Sequence, residues 1–98
     1  MGATHDGAQA SPDTLVTVLY FARLRQSLGL AIERIALPSG CASVSALREL
    51  LRARGGPWTE ELAPDRAVCV AVNQELAEPA SPLRHGDEVA FFPPVTGG

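Results

Sequence analysis

Apolar positions along the chain fall into separate blocks. Thr14–Phe21, "TLVTVLYF", is rich in β-branched and aromatic residues and is expected to form a strand buried mostly on both faces. "ARLRQSLG" (Ala22–Gly29) offers good helix formers and a Gly stop, which predicts a short helix capped by Gly29. "AIERIAL" (Ala31–Leu37) reads as a returning strand ended by Pro38. In "SVSALRELLRARGG", Val44, Leu47, Leu50 and Leu51 recur at helical spacing and make one apolar stripe behind a Ser43 N-cap. Arg48, Arg52 and Arg54 lie off that stripe and suit a solvated face. Gly55-Gly56 and Pro57 end the helix, and "WTEEL" allows one more turn anchored by Trp58.

"RAVCVAVN" (Arg66–Asn73) is a continuous apolar run, read as a central strand with Cys69 as a core hydrophobe. "NQEL" predicts a tight turn into a very short strand at Leu76. His85-Gly86-Asp87 is a turn before a last strand, Glu88–Phe92. Pro93-Pro94 removes two backbone donors, so the ladder must stop there. The order is β-β-α-β-β with a helical insertion in the first hairpin. The apolar first and last strands suit neighbouring central positions. Side by side and parallel, they give an α+β fold, a β-grasp (ubiquitin-like) mixed sheet of four to five strands on one main helix, with the chain's end projecting from it.

The length of 98 residues sets a prior of one domain, here residues 14–98, with a tail at 93–98. Residues 1–13 lack periodicity and read as a flexible extension. They hold no basic stretch followed by an apolar one, and Asp6 stands where a myristoylation motif needs Ser or Thr. No run approaches a membrane span, so the default location is cytoplasmic. A net charge of −3 argues against an electrostatic grip on nucleic acid. All eight basic residues are Arg, so no lysine is present for Schiff-base chemistry or as an isopeptide acceptor. Cys41 and Cys69, and His5 and His85, share no metal-ligand spacing.

The chemistry sits in "FFPPVTGG". Gly98 offers an α-carboxylate, a poor electrophile until ATP converts it to an acyl-adenylate. A sulfur nucleophile can then displace AMP and leave a thiocarboxylate, which can deliver sulfur and revert to carboxylate. Gly97 and Gly98 have no Cβ and can enter a narrow channel. The six residues Pro93, Pro94, Val95, Thr96, Gly97 and Gly98 reach at most about 20 Å, enough to enter a partner's buried site. Phe91 and Phe92 face opposite sides of their strand, so one of them is a candidate partner anchor.

"VTVLYFARLRQSLG", "VSALRELL", "VCVAVNQEL" and "PLRHGDEVAFFPPVTGG" together resemble the small, sulfur-carrier subunit of molybdopterin synthase, from Leu15 to Gly98. The resemblance implies an activating enzyme, similar to ubiquitin-activating enzymes, that adenylates Gly98 with ATP. It implies a sulfur donor enzyme and a large synthase subunit that receives the tail in a heterotetramer of two large and two small subunits. Sulfur would pass to cyclic pyranopterin monophosphate to build the dithiolene, with catalytic side chains on the large subunit and no cofactor bound here. Docking is implied at Phe21, Leu76 and Phe92, with Arg25 a further candidate. Two other readings share the Gly-Gly end: a sulfur carrier for thiamine or cysteine synthesis, and a protein modifier of the ubiquitin type.

Overall fold

A computed structural model describes residues 14–38, 40 and 42–94. Expectations for residues 1–13, for Cys41 and for Val95, Thr96, Gly97 and Gly98 lie outside the described residues. The elements run β1 (Thr14–Tyr20), α1 (Ala22–Leu28), β2 (Ile32–Leu37), α2 (Val44–Arg52), α3 (Pro57–Glu61), β3 (Cys69–Val72), β4 (Glu75–Leu76) and β5 (Glu88–Phe92). They form one sheet in the order β2-β1-β5-β3-β4. β1 and β5 pair in parallel, from Thr17 opposite Glu88 to Tyr20 opposite Phe91. Every other neighbouring pair is antiparallel. This is the mixed sheet of a β-grasp, with the first and last strands adjacent near its centre.

Burial along β1 alternates, with Val16, Val18 and Tyr20 buried and the residues between them more exposed. The expectation that this strand is buried on both faces is therefore corrected: helices cover one face only. β3 is also shorter than its apolar run and lies off centre. Cys69 is half-buried and faces the uncovered side, opposite Phe92, so it is not core filler. The pleat decides this, because Val70, one residue on, is the buried position.

α2 starts where Ser43 accepts a hydrogen bond from the Ala46 N–H (3.1 Å), satisfying one free donor of the first turn. Val44, Leu47 and Leu51 are buried against Val18, Val89 and Phe91 in one core cluster. Leu50, expected in the stripe, is 41% exposed. At 100° per residue it lies about 60° beyond Leu47, past the edge of the sheet. The arginines are not simply solvated either. The Arg48 Nε donates to the Leu62 carbonyl (2.8 Å), and its Nη2 donates to those of Ala63 and Arg66 (2.6 and 3.1 Å). Arg48 thus ties the loop after α3 to α2. Arg52 pairs with Glu49 one turn back.

Arg54 belongs to a network that closes one end of the core. Its Nη1 and Nη2 both donate to Glu33, each at 2.9 Å. Its guanidinium lies 4.5 Å above the Trp58 ring, which meets Tyr20 edge-on at 5.4 Å. The Tyr20 hydroxyl donates to Glu33 (2.7 Å), and its ring stacks on Phe91. Burial, then the Glu33 carboxylate, pushes the Tyr20 hydroxyl well above its usual range, so it stays a donor. Burial alone would raise Glu33; the hydrogen bonds from Arg54 and Tyr20, with the Arg54 charge, outweigh it and hold the carboxyl below the usual range. Trp58 is the anchor expected from "WTEEL", with Pro57 at the first position of α3.

Glu33 binds a proton more readily unfolded than folded, so its contribution is complete above about pH 4.3 and is lost as pH falls through the lower, folded value. Glu33→Gln is expected to cost about 1.5–3 kcal/mol near pH 7. The gap from wild type should narrow steadily below pH 4 in denaturant melts followed across pH; a gap independent of pH would mean that the ion pair adds nothing.

Candidate functional site, an apolar sheet face at the root of the tail

The helices cover one side of the sheet, so its other side is open. Strand register shows which residues share that side. Phe91 is fully buried, and Phe92 stands on the open face, half-buried across from Cys69. Of the two phenylalanines, Phe92 is therefore the one left for a partner. Leu76 is 80% exposed, on the same side as Ala71, its partner across the β3–β4 pair. Phe21 is 46% exposed just beyond β1. Its N–H donates to the Phe91 carbonyl (3.1 Å), which extends the β1–β5 ladder by one bond. Ala22 then adopts φ 53°, in the left-handed region, and turns the chain into α1. That conformation costs a non-glycine residue roughly 1–2 kcal/mol, and it separates Phe21 from the strand.

The expected docking residues Phe21, Leu76 and Phe92 thus lie at the end of the sheet from which the tail departs. Pro93 is half-buried and Pro94 exposed, directly after the last ladder residue. Arg25 is exposed on α1, and among the described residues it has no side-chain hydrogen bond or ion pair. Ile32 was missed by sequence reasoning. It is 55% exposed and sits across from Leu19 on β2. The signal that would have found it is the β1–β2 register, which "LAIERIAL" alone does not fix.

Asn73 explains why "VNQ" and "GDE" occur together. It heads a two-residue turn in which Asn73 and Gln74 have φ of 50° and 72°, as a primed hairpin turn requires. Its Nδ2 donates to Asp87 (2.9 Å), and its Oδ1 accepts from the Glu88 N–H (3.0 Å). Asp87 in turn accepts from the Arg84 N–H (2.8 Å). This clamp fixes the start of β5 against the β3–β4 hairpin, and so fixes where Phe92 and Leu76 stand relative to each other.

A cleft of about 490 Å³ lies between α2 and the β3–β4 edge, with Val44, Arg48, Val68, Val70 and Leu76 in its walls. Arg48 there already donates to three carbonyls. Among the described residues no three His, Cys, Asp or Glu side chains are grouped to hold a metal ion, and no helix is long and apolar enough to cross a membrane. The chemistry this face supports is presentation: an open apolar surface beside the Pro93-Pro94 step that ends the ladder.

The sequence pattern of the ThiS family matches residues 18–98. The chain is 42% identical over 84 residues to the molybdopterin synthase sulfur carrier subunit of Escherichia coli, covering 86% of this chain and 100% of that protein. It is 40% identical to the protein of the same description from Haemophilus influenzae, with the same coverage. In structure it superposes on SAMP1 of Haloferax volcanii with a TM-score of 0.72 at 27% identity, covering 86% of this chain and 99% of that one.

Replacing Asn73 by Ala removes both clamp bonds and a residue type suited to positive φ. It is expected to destabilise the fold by about 1–3 kcal/mol in urea unfolding, with the m-value unchanged.

Proposed function

Since the chain belongs to the ThiS family, we propose that it is the sulfur-carrier subunit of a molybdopterin synthase. The observation that carries this reading is the parallel pairing of β1 with β5, which directs the chain past the edge of the sheet beside an uncovered apolar face. The relatives described as molybdopterin synthase sulfur carrier subunits, aligned over their full length at 40–42% identity, support it.

In this reading an ATP-using adenylyltransferase acylates AMP with the Gly98 carboxylate, releasing pyrophosphate. A sulfur donor enzyme then supplies a sulfur nucleophile that displaces AMP and leaves Gly98 as a thiocarboxylate. Gly97 contributes only its lack of a side chain. Val95, Thr96 and the two glycines enter the active site of the large subunit, while Pro93-Pro94 hold the root extended. That stiffness limits the ordering entropy of about 1–2 kcal/mol per residue that docking costs. The thiocarboxylate sulfur bonds to cyclic pyranopterin monophosphate; water then cleaves the acyl C–S bond, leaving the sulfur on the pterin and the carrier as carboxylate. Each cycle delivers one sulfur, so a dithiolene consumes two carrier molecules. Phe21, Leu76 and Phe92 form the docking surface, with Arg25 at its margin. Large and small subunits assemble two and two, the catalytic side chains belong to the large subunit, and the work is cytoplasmic.

Protein produced with its activating enzyme should show one oxygen replaced by sulfur at Gly98 in intact-mass and fragment analysis. Carboxylate alone, with active enzyme and sulfur donor present, would refute every carrier reading. Gly-Gly remnants on lysines of other proteins would instead favour the modifier reading. Deleting Gly98 should abolish dithiolene formation and shift the melting midpoint by less than about 1 °C, because no core residue is touched. Phe92→Arg should weaken large-subunit binding at least tenfold at unchanged Gly98 chemistry, read by titration calorimetry.

A further inference from the structure

The register of the sheet sorts the open face into rows. One row crosses all five strands: Ile32 on β2, Leu19 on β1, Ala90 on β5, Ala71 on β3 and Leu76 on β4. Every member is apolar. One row further from the tail stand Arg34, Thr17 and Glu88. The face therefore changes from apolar to charged within about 7 Å, the length of two residues along a strand. Scattered surface apolar residues need no explanation, but an unbroken row with a charged border on one side has the anatomy of an interface core and its rim.

The row also has a shape. Its middle members, Ala90 and Ala71, are small, while its ends, Ile32 and Leu76, are bulky and 55% and 80% exposed. Four strand spacings separate those ends, about 19 Å. The result is a trough with Ala90 and Ala71 as its floor and Ile32 and Leu76 raised on either side, with Phe92 and Phe21 on its tail side. Such a trough fits a convex apolar ridge, not a flat surface. The arm's length selects the occupant. A partner that swallows an arm of about 20 Å must press against the surface around its root. Ile32 lies only two strand spacings from β5, about 10 Å, and is inside that footprint.

We propose that the docking surface spans the whole sheet to its β2 edge, with Ile32 as a second anchor opposite Leu76. The protein that receives the arm lays a convex apolar segment in the trough over Ala90 and Ala71. This extends the carrier reading and rests on it. Ile32 and the trough floor are thereby specificity positions, since a partner with a flat face would leave the floor uncovered.

The test measures affinity of the large subunit for the full chain carrying Ile32→Glu, Ala71→Phe, Phe92→Arg or Ala36→Glu. Ala36 is exposed on the same strand face, beyond the charged row, and serves as the control. Ile32→Glu and Ala71→Phe are each expected to weaken binding at least tenfold, with Ala36→Glu like wild type and all melting midpoints within about 2 °C. Should Ile32→Glu melt lower, Ile32→Thr, which keeps a β-branched residue on the strand, replaces it and should weaken binding about threefold or more. Wild-type affinity for the Ile32 variant together with Ala71→Phe overturns the proposal, as does equal weakening by Ala36→Glu. If Phe92→Arg also binds normally, the carrier–partner reading itself fails. Sedimentation showing a dimer of the free chain that Ile32→Glu dissolves, with large-subunit binding intact, would assign the row to a second copy and likewise overturn it.

Discussion

The contact between one helical stripe and one face of the middle strands is what the rest of the molecule depends on. Val44, Leu47 and Leu51 bury their side chains in the same cluster as Val18, Val89 and Phe91, which Leu24 and Leu62 complete. Once that face is closed, strand alternation leaves the opposite residues outside by geometry alone. The side that presents Phe92 and Leu76 is therefore the complement of the core. Its apolar character has no fold-level cause, which is why it points to a partner. A sheet face that met only water would be expected to alternate cleanly with polar residues.

A second consequence concerns rigidity near the tail. The Tyr20–Glu33–Arg54–Trp58 network and the Asn73 clamp hold two different sides of β5. One acts through Tyr20, the register partner of Phe91; the other fixes the strand's first residue. β5, from which the tail follows, is thus held at both ends before any partner arrives. Preorganisation of this kind favours binding chiefly by lowering the entropy lost on docking.

Much of this was legible in the chain. Ser43, Gly29 and Pro57 have local causes, so their helices fell where expected. The parallel neighbours β1 and β5 followed from two strongly apolar strands competing for the centre. What failed were properties set by distant residues. A continuous apolar run cannot say whether its second face is covered by the same chain or by another, and so β1 and Cys69 were placed too deep. Leu50 failed because stripe width depends on the sheet beneath it. Arg48 was read as solvated because carbonyls that accept its hydrogens, such as that of Leu62, come from a loop no periodicity describes. Ile32 needed a register, and register is a relation between two strands. The tail's chemistry was read from Gly-Gly after Pro-Pro, a local signal that lies beyond the described residues, which end at Pro94.

The adjacency of β1 and β5 has a temporal side. Thr17 and Glu88 are neighbours in space but lie at opposite ends of the order of synthesis. Helices and the β1–β2 hairpin can flicker into being as they leave the ribosome, yet no stable core exists until β5 has emerged, since loop closure must precede the contacts that reward it. A nascent chain stays unfolded, and open to chaperones and proteases, until residue 92 is free. An incomplete chain lacking β5 also lacks the fold. The cell is thereby spared one class of decoys: chains cut short before β5 that could still dock on a partner.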